Sequence, residues 1–376
     1  MDPRSGFTAD RVVRVALFVS SLQDMGGAIR AAVLLSNRLC DDFHVTLIEL
    51  ERHDYQVFSL DERVEVVSLN VSAPRLRQRI TEAFSPLSRC LSDRHIEVLL
   101  GVGLDETVAA IGPCKKTRTK LIFCDHGALV NQMDDKLTTL LRAVCAIGCQ
   151  KTVVLTQQTK EDYHRIFRVN SKKIIRIPNW IPRALLENAR TYDVASKKIL
   201  WAGRLDKEKG IDLLFEVARR VLTEFDDWTW DVYGEVVLNT GDFNLEHEIE
   251  RAGLQERFRL LGRVDDLYER YAAYAIGTLT SYREGLPLFL LEGKACGLPL
   301  ISFDVNTGPR DIIVDGVDGF LIPPYDCDAY AQKLRLLMGD CALRQEMSEA
   351  TRDAVDVFSE DAVYALWFGL IRETAL

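Results

Sequence analysis

The chain has 376 residues, 47% hydrophobic and 27% charged, a composition typical of a folded globular protein with room for two domains. No apolar run is long enough to span a membrane, and the polar first ten residues are not those of a secretory signal peptide. Residues 1–195 carry 27 Lys and Arg against 23 Asp and Glu, whereas residues 196–376 carry 20 against 33. The acidic second half argues against a nucleic-acid ligand, and the basic first half permits an anionic partner such as a lipid surface.

The cysteines indicate the compartment and the absence of a metal site. Their number is nine, they are scattered, and an odd count of this kind favours a reducing cytosol over a disulfide framework. Cys145 and Cys149 form the closest pair, but no histidine or further cysteine nearby completes a zinc site. We therefore expect a cytoplasmic protein without a bound metal.

The first half of the chain alternates strand and helix patterns. The first buried strand is predicted at 12–20, and the pair Gly26 and Gly27 separates it from a helix at 28–40. A glycine pair there lets the backbone approach a ligand closely, although a plain turn explains it almost as well. Further strands are predicted at 44–50, 64–69, 98–100, 120–124, 151–156 and 174–177, and helices at 136–148 and 158–167.

Two features of this half concern function. His126 directly follows the strand at 120–124, and the carboxyl ends of parallel strands face the ligand crevice, so it is placed either for chemistry or to cap the strand. Residues 74–92 predict a broken helix that carries Arg75, Arg77, Arg79 and Arg89 beside Leu76, Ile80, Phe84 and Leu87. Such a segment either sits on an anionic bilayer or packs its apolar residues inward.

The alternation restarts after a polar linker at 183–198. Strands are predicted at 199–202, 230–233, 258–261 and 276–279, and helices at 211–224, 246–252, 267–275 and 362–372. The loop after the first of these strands carries Arg204 and Lys209, which are suited to clamping an anion or belong to a charged surface turn. Gly262, Arg263 and Val264 follow the third strand.

Residues 281–303 predict a loop, a helix beginning at Pro287 and ended by Gly297, and a short buried strand. The start of a helix offers unpaired N–H groups to a phosphate, and a carboxylate one turn in can accept hydrogen bonds from ribose hydroxyls. Glu284 precedes this helix and Glu292 lies within it, eight residues on. The alternative is a solvated helix with two ordinary glutamates. Each half of the chain is thus predicted to form a doubly wound α/β sheet, with the ligand-facing loops of both meeting in one cleft.

The motifs G-R-L-D-K-E-K-G, E-G-L-P-L-F-L-L-E and T-G-P-R-D-I-I-V-D-G-V-D-G-F, in this order, resemble the retaining glycosyltransferases of family four. The resemblance is closest to bacterial enzymes of capsule, exopolysaccharide and lipopolysaccharide synthesis. It implies a GT-B fold of two Rossmann-like domains, at 1–182 and 183–359, with a helix at 360–376 packing back on the first.

The resemblance also implies residue roles. Arg204 and Lys209 would bind the donor diphosphate, Glu284 the donor sugar and Glu292 the nucleotide ribose, while His126 would lie near the transferred sugar. Gly26 and Gly27 would let the first loop close over the diphosphate. Gly262, Arg263 and Val264 would border the nucleobase. The segment at the start of the helix, whose amides would meet the phosphate, is Gly285, Leu286, Pro287 and Leu288. The Tyr233–Gly234 turn departs from the glycine-rich turn of the family, which puts any role for that loop in doubt.

The implied activity is transfer of a hexose or N-acetylhexosamine, with retention and without a metal or cofactor, from a UDP-sugar. The acceptor would be a glycan or a polyprenyl-linked sugar, with peripheral contact to the inner face of an anionic cytoplasmic membrane. The alternatives are another GT-B activity, namely a sugar-nucleotide epimerase or a phosphorylase, and a non-catalytic sugar-nucleotide binding module. The lack of a complete G-x-G-x-x-G motif argues against a nicotinamide dehydrogenase.

Overall fold

A computed structural model describes residues 12–24, 26–52, 56–127, 129–187, 192–235, 243–264, 267–353 and 355–376. The chain divides into two compact units. The first comprises Met1–Asn179 together with Asp361–Leu376, and the second comprises Trp180–Glu360.

The first unit contains a parallel sheet of seven strands in the order β3-β2-β1-β4-β5-β6-β7. Consecutive residues of its central strands are buried on both faces, as in Ala16 and Leu17, because helices cover both sides of such a sheet. The strands are β1 (Arg14–Val19), β2 (His44–Glu49), β3 (Glu65–Ser68), β4 (Val98–Val102), β5 (Lys120–Asp125), β6 (Lys151–Val154) and β7 (Ile174–Arg176).

In the described part of this unit the α-helices between the strands are α1 (Gly27–Leu39), α2 (Leu76–Asp93), α3 (Leu104–Thr117), α4 (Lys136–Gly148) and α5 (Gln157–Phe167). The broken helix predicted at 74–92 is wrong in one respect, because α2 is continuous and contains Pro86. A proline inside a helix removes one backbone hydrogen bond. The residues around Pro86 that pack into the core, including Ala83, Leu87 and Leu91, hold the helix together across that position.

The second unit contains a parallel sheet of six strands in the order β10-β9-β8-β11-β12-β13. Numbered from its own first strand, this is the 3-2-1-4-5-6 order of a nucleotide-binding Rossmann fold. The strands are β8 (Lys198–Ala202), β9 (Thr229–Tyr233), β10 (Phe258–Gly262), β11 (Ile276–Leu279), β12 (Leu300–Phe303) and β13 (Gly319–Ile322).

The helices of the second unit are α6 (Arg183–Glu187), α7 (Ile211–Leu222), α8 (Leu245–Ala252), α9 (Leu267–Arg270), α10 (Leu288–Ala295), α11 (Pro309–Ile312), α12 (Cys327–Gly339) and α13 (Cys341–Asp353). The linker predicted at 183–198 is wrong at both ends, because α6 occupies its start and β8 begins at Lys198. Leu185 explains the short helix, since its side chain is buried.

The last helix, α14 (Glu360–Ala375), belongs to the first unit apart from its first residue. Tyr364 donates a hydrogen bond to Asp42 at 2.7 Å, and its ring stacks under the guanidinium of Arg38. Phe368 packs on Phe43 with ring centroids 5.5 Å apart. The end of the chain is therefore anchored on the loop after α1.

In both sheets the strand order reverses beside the first strand, between β1 and β4 and between β8 and β11. Open α/β sheets bind ligands at the carboxyl edge of such a reversal. In the second unit, the loops leaving this edge are residues 203–210 after β8 and residues 280–287 after β11. The α/β prediction for both halves is confirmed. Among the described helices, none is both long and apolar enough to cross a bilayer.

Candidate active site

The two predicted basic residues of the second unit lie in the loop between β8 and α7. Lys209 places its Nζ 2.6 Å from Oε1 of Glu284, across the strand-order reversal, and its amide donates to Asp206 at 2.9 Å. Arg204 is half-exposed and pairs with Asp206 at 3.1 Å and with Glu208 at 3.6 Å. These hydrogen bonds and ion pairs therefore fix the loop, which carries two cationic side chains.

Gly210 explains how this loop reaches the neighbouring strand. Its φ is +65°, and a Cβ there would lie 2.1 Å from the carbonyl oxygen of Thr280. Only glycine permits both the left-handed backbone and the close approach. The close packing brings the Lys209 loop directly onto the segment that carries Glu284.

Glu284 is buried and held from three sides. Lys209 and the Ser281 hydroxyl, at 2.6 Å each, both bond its Oε1, and Thr307 donates to its backbone carbonyl at 2.6 Å. Among the described residues no hydrogen bond is made to Oε2 of Glu284, so this oxygen is available to accept one from a ligand hydroxyl. The alternative of an ordinary surface glutamate is wrong, since Glu284 is only 8% exposed.

The helix α10 follows this loop and begins at Leu288. Pro287 is its N-cap residue, with φ −70° and ψ 116°, rather than its first helical residue as predicted. The difference arises because its ψ is still extended, so the helical turn starts one residue later. In the described part of the chain no side chain caps this start, and its first amides retain the capacity to bind an anion. Gly297 ends the helix as predicted, with φ +76°.

Glu292 lies in the middle of α10 and is 1% exposed. Its Oε2 accepts a hydrogen bond from Tyr271 at 2.7 Å, and its Oε1 accepts one from Tyr268 at 3.3 Å. The alternative of a solvated helix is wrong, because every residue from Phe289 to Ala295 is buried. Burying a carboxylate costs free energy unless it is hydrogen-bonded, and the two tyrosines supply those bonds.

The segment at 262–264 begins with the last residue of β10, the edge strand of the same sheet. Gly262 has φ +68°, and its carbonyl accepts a hydrogen bond from Gly234 at 2.9 Å. Arg263 is exposed and Val264 is partly buried. This hydrogen bond joins the segment to the loop after β9, the strand that lies between β10 and β8 in the sheet.

The remaining predicted residues lie in the first unit. Gly26 is the N-cap of α1 and Gly27 its first residue, and a Cβ on Gly26 would meet no atom within 4 Å. His126 follows the last residue of β5, is partly buried, and has no hydrogen-bond partner among the described residues. Burial lowers the pKa of His126 to about 4, against the opposing charge of Asp125. The imidazole is therefore neutral near pH 7.

Two family profiles match almost the whole chain. "Glycosyltransferase Family 4" matches residues 25–185, and "Glycosyl transferases group 1" matches residues 187–354. A Haemophilus influenzae protein named "Uncharacterized glycosyltransferase" is 23% identical over 359 residues, covering 95% of this chain and 99% of its own. A Campylobacter jejuni protein, "GalNAc-alpha-(1->4)-GalNAc-alpha-(1->3)-diNAcBac-PP-undecaprenol alpha-1,4-N-acetyl-D-galactosaminyltransferase", is 26% identical over 373 residues, covering 96% of this chain and 99% of its own.

Among solved structures, a Staphylococcus aureus TarM mutant in complex with UDP superposes with a TM-score of 0.79 at 16% identity, covering 96% of this chain and 99% of its own. The chain belongs to the glycosyltransferases that the two family profiles describe. The predicted GT-B fold of two Rossmann-like domains is confirmed by this structural likeness.

Several side chains that support this candidate site are absent from the sequence-based prediction. Ser281, Thr307, Tyr268 and Tyr271 hold the two glutamates, and only Thr307 belongs to a motif that the resemblance uses. Gly308 after it has φ +96°, and a Cβ there would lie 2.8 Å from the carbonyl oxygen of Gly285. The T-G-P motif is thus explained by its packing on the Glu284 loop.

A buried lysine on α10 is the second omission. Lys294 is 1% exposed, donates to the carbonyl of Ile312 at 2.6 Å and pairs with Asp318. Asp318 also accepts a hydrogen bond from the amide of Val314 at 2.9 Å. This pair ties the helix that carries Glu292 to the segment between α11 and β13. The available signal was a lysine on a helix whose other residues, apart from Glu292, are apolar or glycine.

Proposed function

We propose that this glycosyltransferase moves a hexose or N-acetylhexosamine, with retention, from a UDP-sugar to a glycan or polyprenyl-linked acceptor in bacterial cell-surface polysaccharide synthesis. The observation that carries the proposal is the Lys209–Glu284 pair beside the start of α10, at the strand-order reversal of the second sheet. The family membership and the named Campylobacter relative support the acceptor class.

The donor diphosphate is assigned to the two basic residues and to the amides that begin α10. Cleavage of the bond from sugar to diphosphate develops negative charge on the leaving group, and fixed cations stabilise that charge without reorganising. Lys209 has three N–H donors, of which Glu284 uses one, so it can keep this bond while contacting a phosphate oxygen. Arg204 is the more exposed of the two and adds a second cation.

The sugar and the ribose are assigned to the two glutamates. The unused Oε2 of Glu284 is suited to accept a hydroxyl of the donor sugar. Glu292 is assigned to the ribose, as carboxylates are in many nucleotide sites. The neutral imidazole of His126 can donate or accept a hydrogen bond with the transferred sugar.

A donor screen tests the proposal. Nucleotide release is measured for a panel of UDP-, GDP- and ADP-sugars with and without a lipid-linked acceptor, and the anomeric configuration of the product is read by NMR. Acceptor-dependent release from a UDP-sugar, with the configuration kept, is expected. Release without acceptor and with epimerised free sugar would favour the epimerase. Binding of UDP-sugar without turnover of any acceptor would favour the non-catalytic module.

We expect chelators to leave the activity intact, because Arg204, Lys209 and the amides at the start of α10 meet the leaving charge in place of a divalent ion. Initial rates in 10-fold molar excess of EDTA over total divalent ions should match untreated enzyme within about twofold. A rate that collapses in EDTA and returns with Mg²⁺ or Mn²⁺ would contradict this assignment.

A lipid-linked acceptor requires the enzyme to approach a bilayer. The contacts of α2 favour a segment other than residues 74–92 for that role. In α2, Leu87 is fully buried and Ile80 packs against the core, while Arg79 pairs with Glu51 at 3.6 Å and Asp105 at 3.8 Å. These contacts support the inward-packed alternative for residues 74–92. We assign peripheral contact with an anionic membrane to a different face, on α4.

The outer face of α4 exposes apolar side chains at helical spacing, namely Leu137, Leu140, Val144 and Ile147, which are 60%, 59%, 41% and 67% exposed. Lys173 donates to the carbonyl of Ile147, and the last turn of the adjacent α3 adds Lys115. The area of these four side chains falls far short of the roughly 800 Å² that each partner buries in a stable dimer. An anionic bilayer matches both the apolar stripe and the lysines beside it.

Flotation with anionic and neutral vesicles checks this face. Recovery with phosphatidylglycerol vesicles should fall at least about tenfold when Leu140 and Ile147 become serine, because each side chain loses up to about 1.5–3 kcal/mol of burial. The matched control, Arg75→Gln with Arg77→Gln on α2, should float like the wild type. Equal flotation of the serine variant, or loss only in the α2 variant, would contradict it.

A further inference from the structure

The carboxylate that precedes His126 is held by a buried cluster. Asp125, the last residue of β5, is 5% exposed. Tyr163 donates to its Oδ2 at 2.5 Å, and Arg142 places Nε 3.0 Å from Oδ2 and Nη2 3.3 Å from Oδ1. Arg142 comes from α4 and Tyr163 from α5, and both are buried. Two helices therefore converge on one carboxylate at the end of the strand.

The same carboxylate shapes the chain around His126. Its Oδ1 accepts a hydrogen bond from the amide of Gly127 at 3.0 Å, two residues on, which is the bond of an Asx turn. A Cβ on Gly127 would lie only 2.2 Å from Nη2 of Arg142. His126 is thus the middle residue of a turn closed on one side by Asp125 and packed on the other against Arg142.

Stability alone does not account for this cluster. A buried ion pair is often no more stabilising than apolar side chains of similar size, since desolvating both charges offsets their attraction. Such a pair does fix geometry, because a buried charge has few orientations that satisfy it. The element that this pair orients is the turn that presents His126.

We propose that Asp125, Arg142 and Tyr163 are positioning residues that hold His126 in place for transfer. The inference rests on the proposed function, in which His126 contacts the transferred sugar. The three residues act through the turn and the imidazole and make no contact with substrate themselves. Their loss is therefore expected to lower kcat while leaving donor affinity unchanged.

Tyr163→Phe is the main test, because it removes one hydrogen bond and keeps the ring. We expect kcat to fall about tenfold, with the donor KM within about twofold of wild type. The matched control is Asp162→Asn on the same helix, whose carboxylate is equally buried and pairs with Arg165 at 2.6 Å. The control should keep kcat within about twofold. Arg142→Lys replaces Tyr163→Phe if that variant fails to fold.

A double-mutant cycle separates positioning from general destabilisation. In a His126→Ala background, Tyr163→Phe should cause no further loss of kcat, because the group that it positions is absent. An equal tenfold loss in that background overturns the proposal, and so does wild-type kcat in Tyr163→Phe or His126→Ala. Absence of transfer by the wild type with every donor and acceptor would instead refute the proposed function.

An NMR measurement tests whether Tyr163 positions His126 if the His126→Ala variant turns over too slowly to assay. The imidazole resonance of His126, assigned as the peak missing from the His126→Ala spectrum, should shift in Tyr163→Phe and stay in place in Asp162→Asn. An unmoved resonance in Tyr163→Phe overturns the proposal.

Discussion

Replacing Arg204 or Lys209 with alanine is expected to lower kcat/KM, and each loss should correspond to about 2–4 kcal/mol of transition-state stabilisation. The physical reason is that the leaving diphosphate gains charge as the glycosidic bond breaks, and each cation interacts more strongly with the transition state than with the bound donor. Initial rates over a range of UDP-sugar concentrations, at saturating acceptor, give the loss for each variant.

The same loop offers a matched control in Lys207. Its side chain is exposed and no described residue pairs with it, so Lys207→Ala should keep kcat/KM within about twofold. Wild-type kcat/KM in both the Arg204 and the Lys209 variants would show that the diphosphate binds elsewhere. A loss as large in Lys207→Ala would show that net charge, rather than position, matters.

Lys209→Ala needs a second comparison, because it also removes a partner of Glu284. The carboxylate would keep the Ser281 hydroxyl at 2.6 Å as its described side-chain partner. Measuring the free energy of unfolding alongside the rates separates the two effects. If the diphosphate clamp is what matters, Arg204→Ala, whose side chain is 41% exposed, lowers kcat/KM without comparable destabilisation.

The strands were predictable from the sequence because parallel strands are buried on both faces. Residues 276–279 and 300–303 are the clearest cases, where short apolar runs match β11 and β12 in full. The prediction placed no helix over α3, which contains Gly112 and Pro113, residues that usually end helices. Packing against α2 and β5 overrides that local signal.

The site was predictable where a backbone position requires a particular residue, and unpredictable where distant side chains meet. The end of α10 was predictable from Gly297, because the φ of +76° at that position suits glycine. Tyr271 and Glu292 lie 21 positions apart, and no periodicity of a helix or strand connects them. The same holds for Lys294 and Asp318, which lie 24 positions apart.

The Lys294–Asp318 pair leads to the largest expected effect on stability. Asp318→Asn removes the negative charge and leaves the ammonium of Lys294, which is 1% exposed, without a counter-charge. Breaking a buried pair from one side costs about 3–5 kcal/mol of unfolding free energy. Urea denaturation followed by tryptophan fluorescence measures this loss, since three of the buried core residues of the second unit are tryptophans, Trp201, Trp228 and Trp230.

Two further variants make the test of this pair specific. Asp315→Asn, in the same segment, changes an exposed carboxylate that, among the described residues, accepts a hydrogen bond from the amide of Leu321 alone, and it should cost less than about 1 kcal/mol. Lys294→Met combined with Asp318→Asn removes the unpaired charge and should be more stable than Asp318→Asn alone. If the double variant is instead the less stable of the two, the packing of Lys294 and its bond to the Ile312 carbonyl outweigh any cost of leaving its charge unpaired, because both variants share Asp318→Asn. The helix that carries Glu292 would then be held to its neighbouring segment by shape, and not by the ion pair.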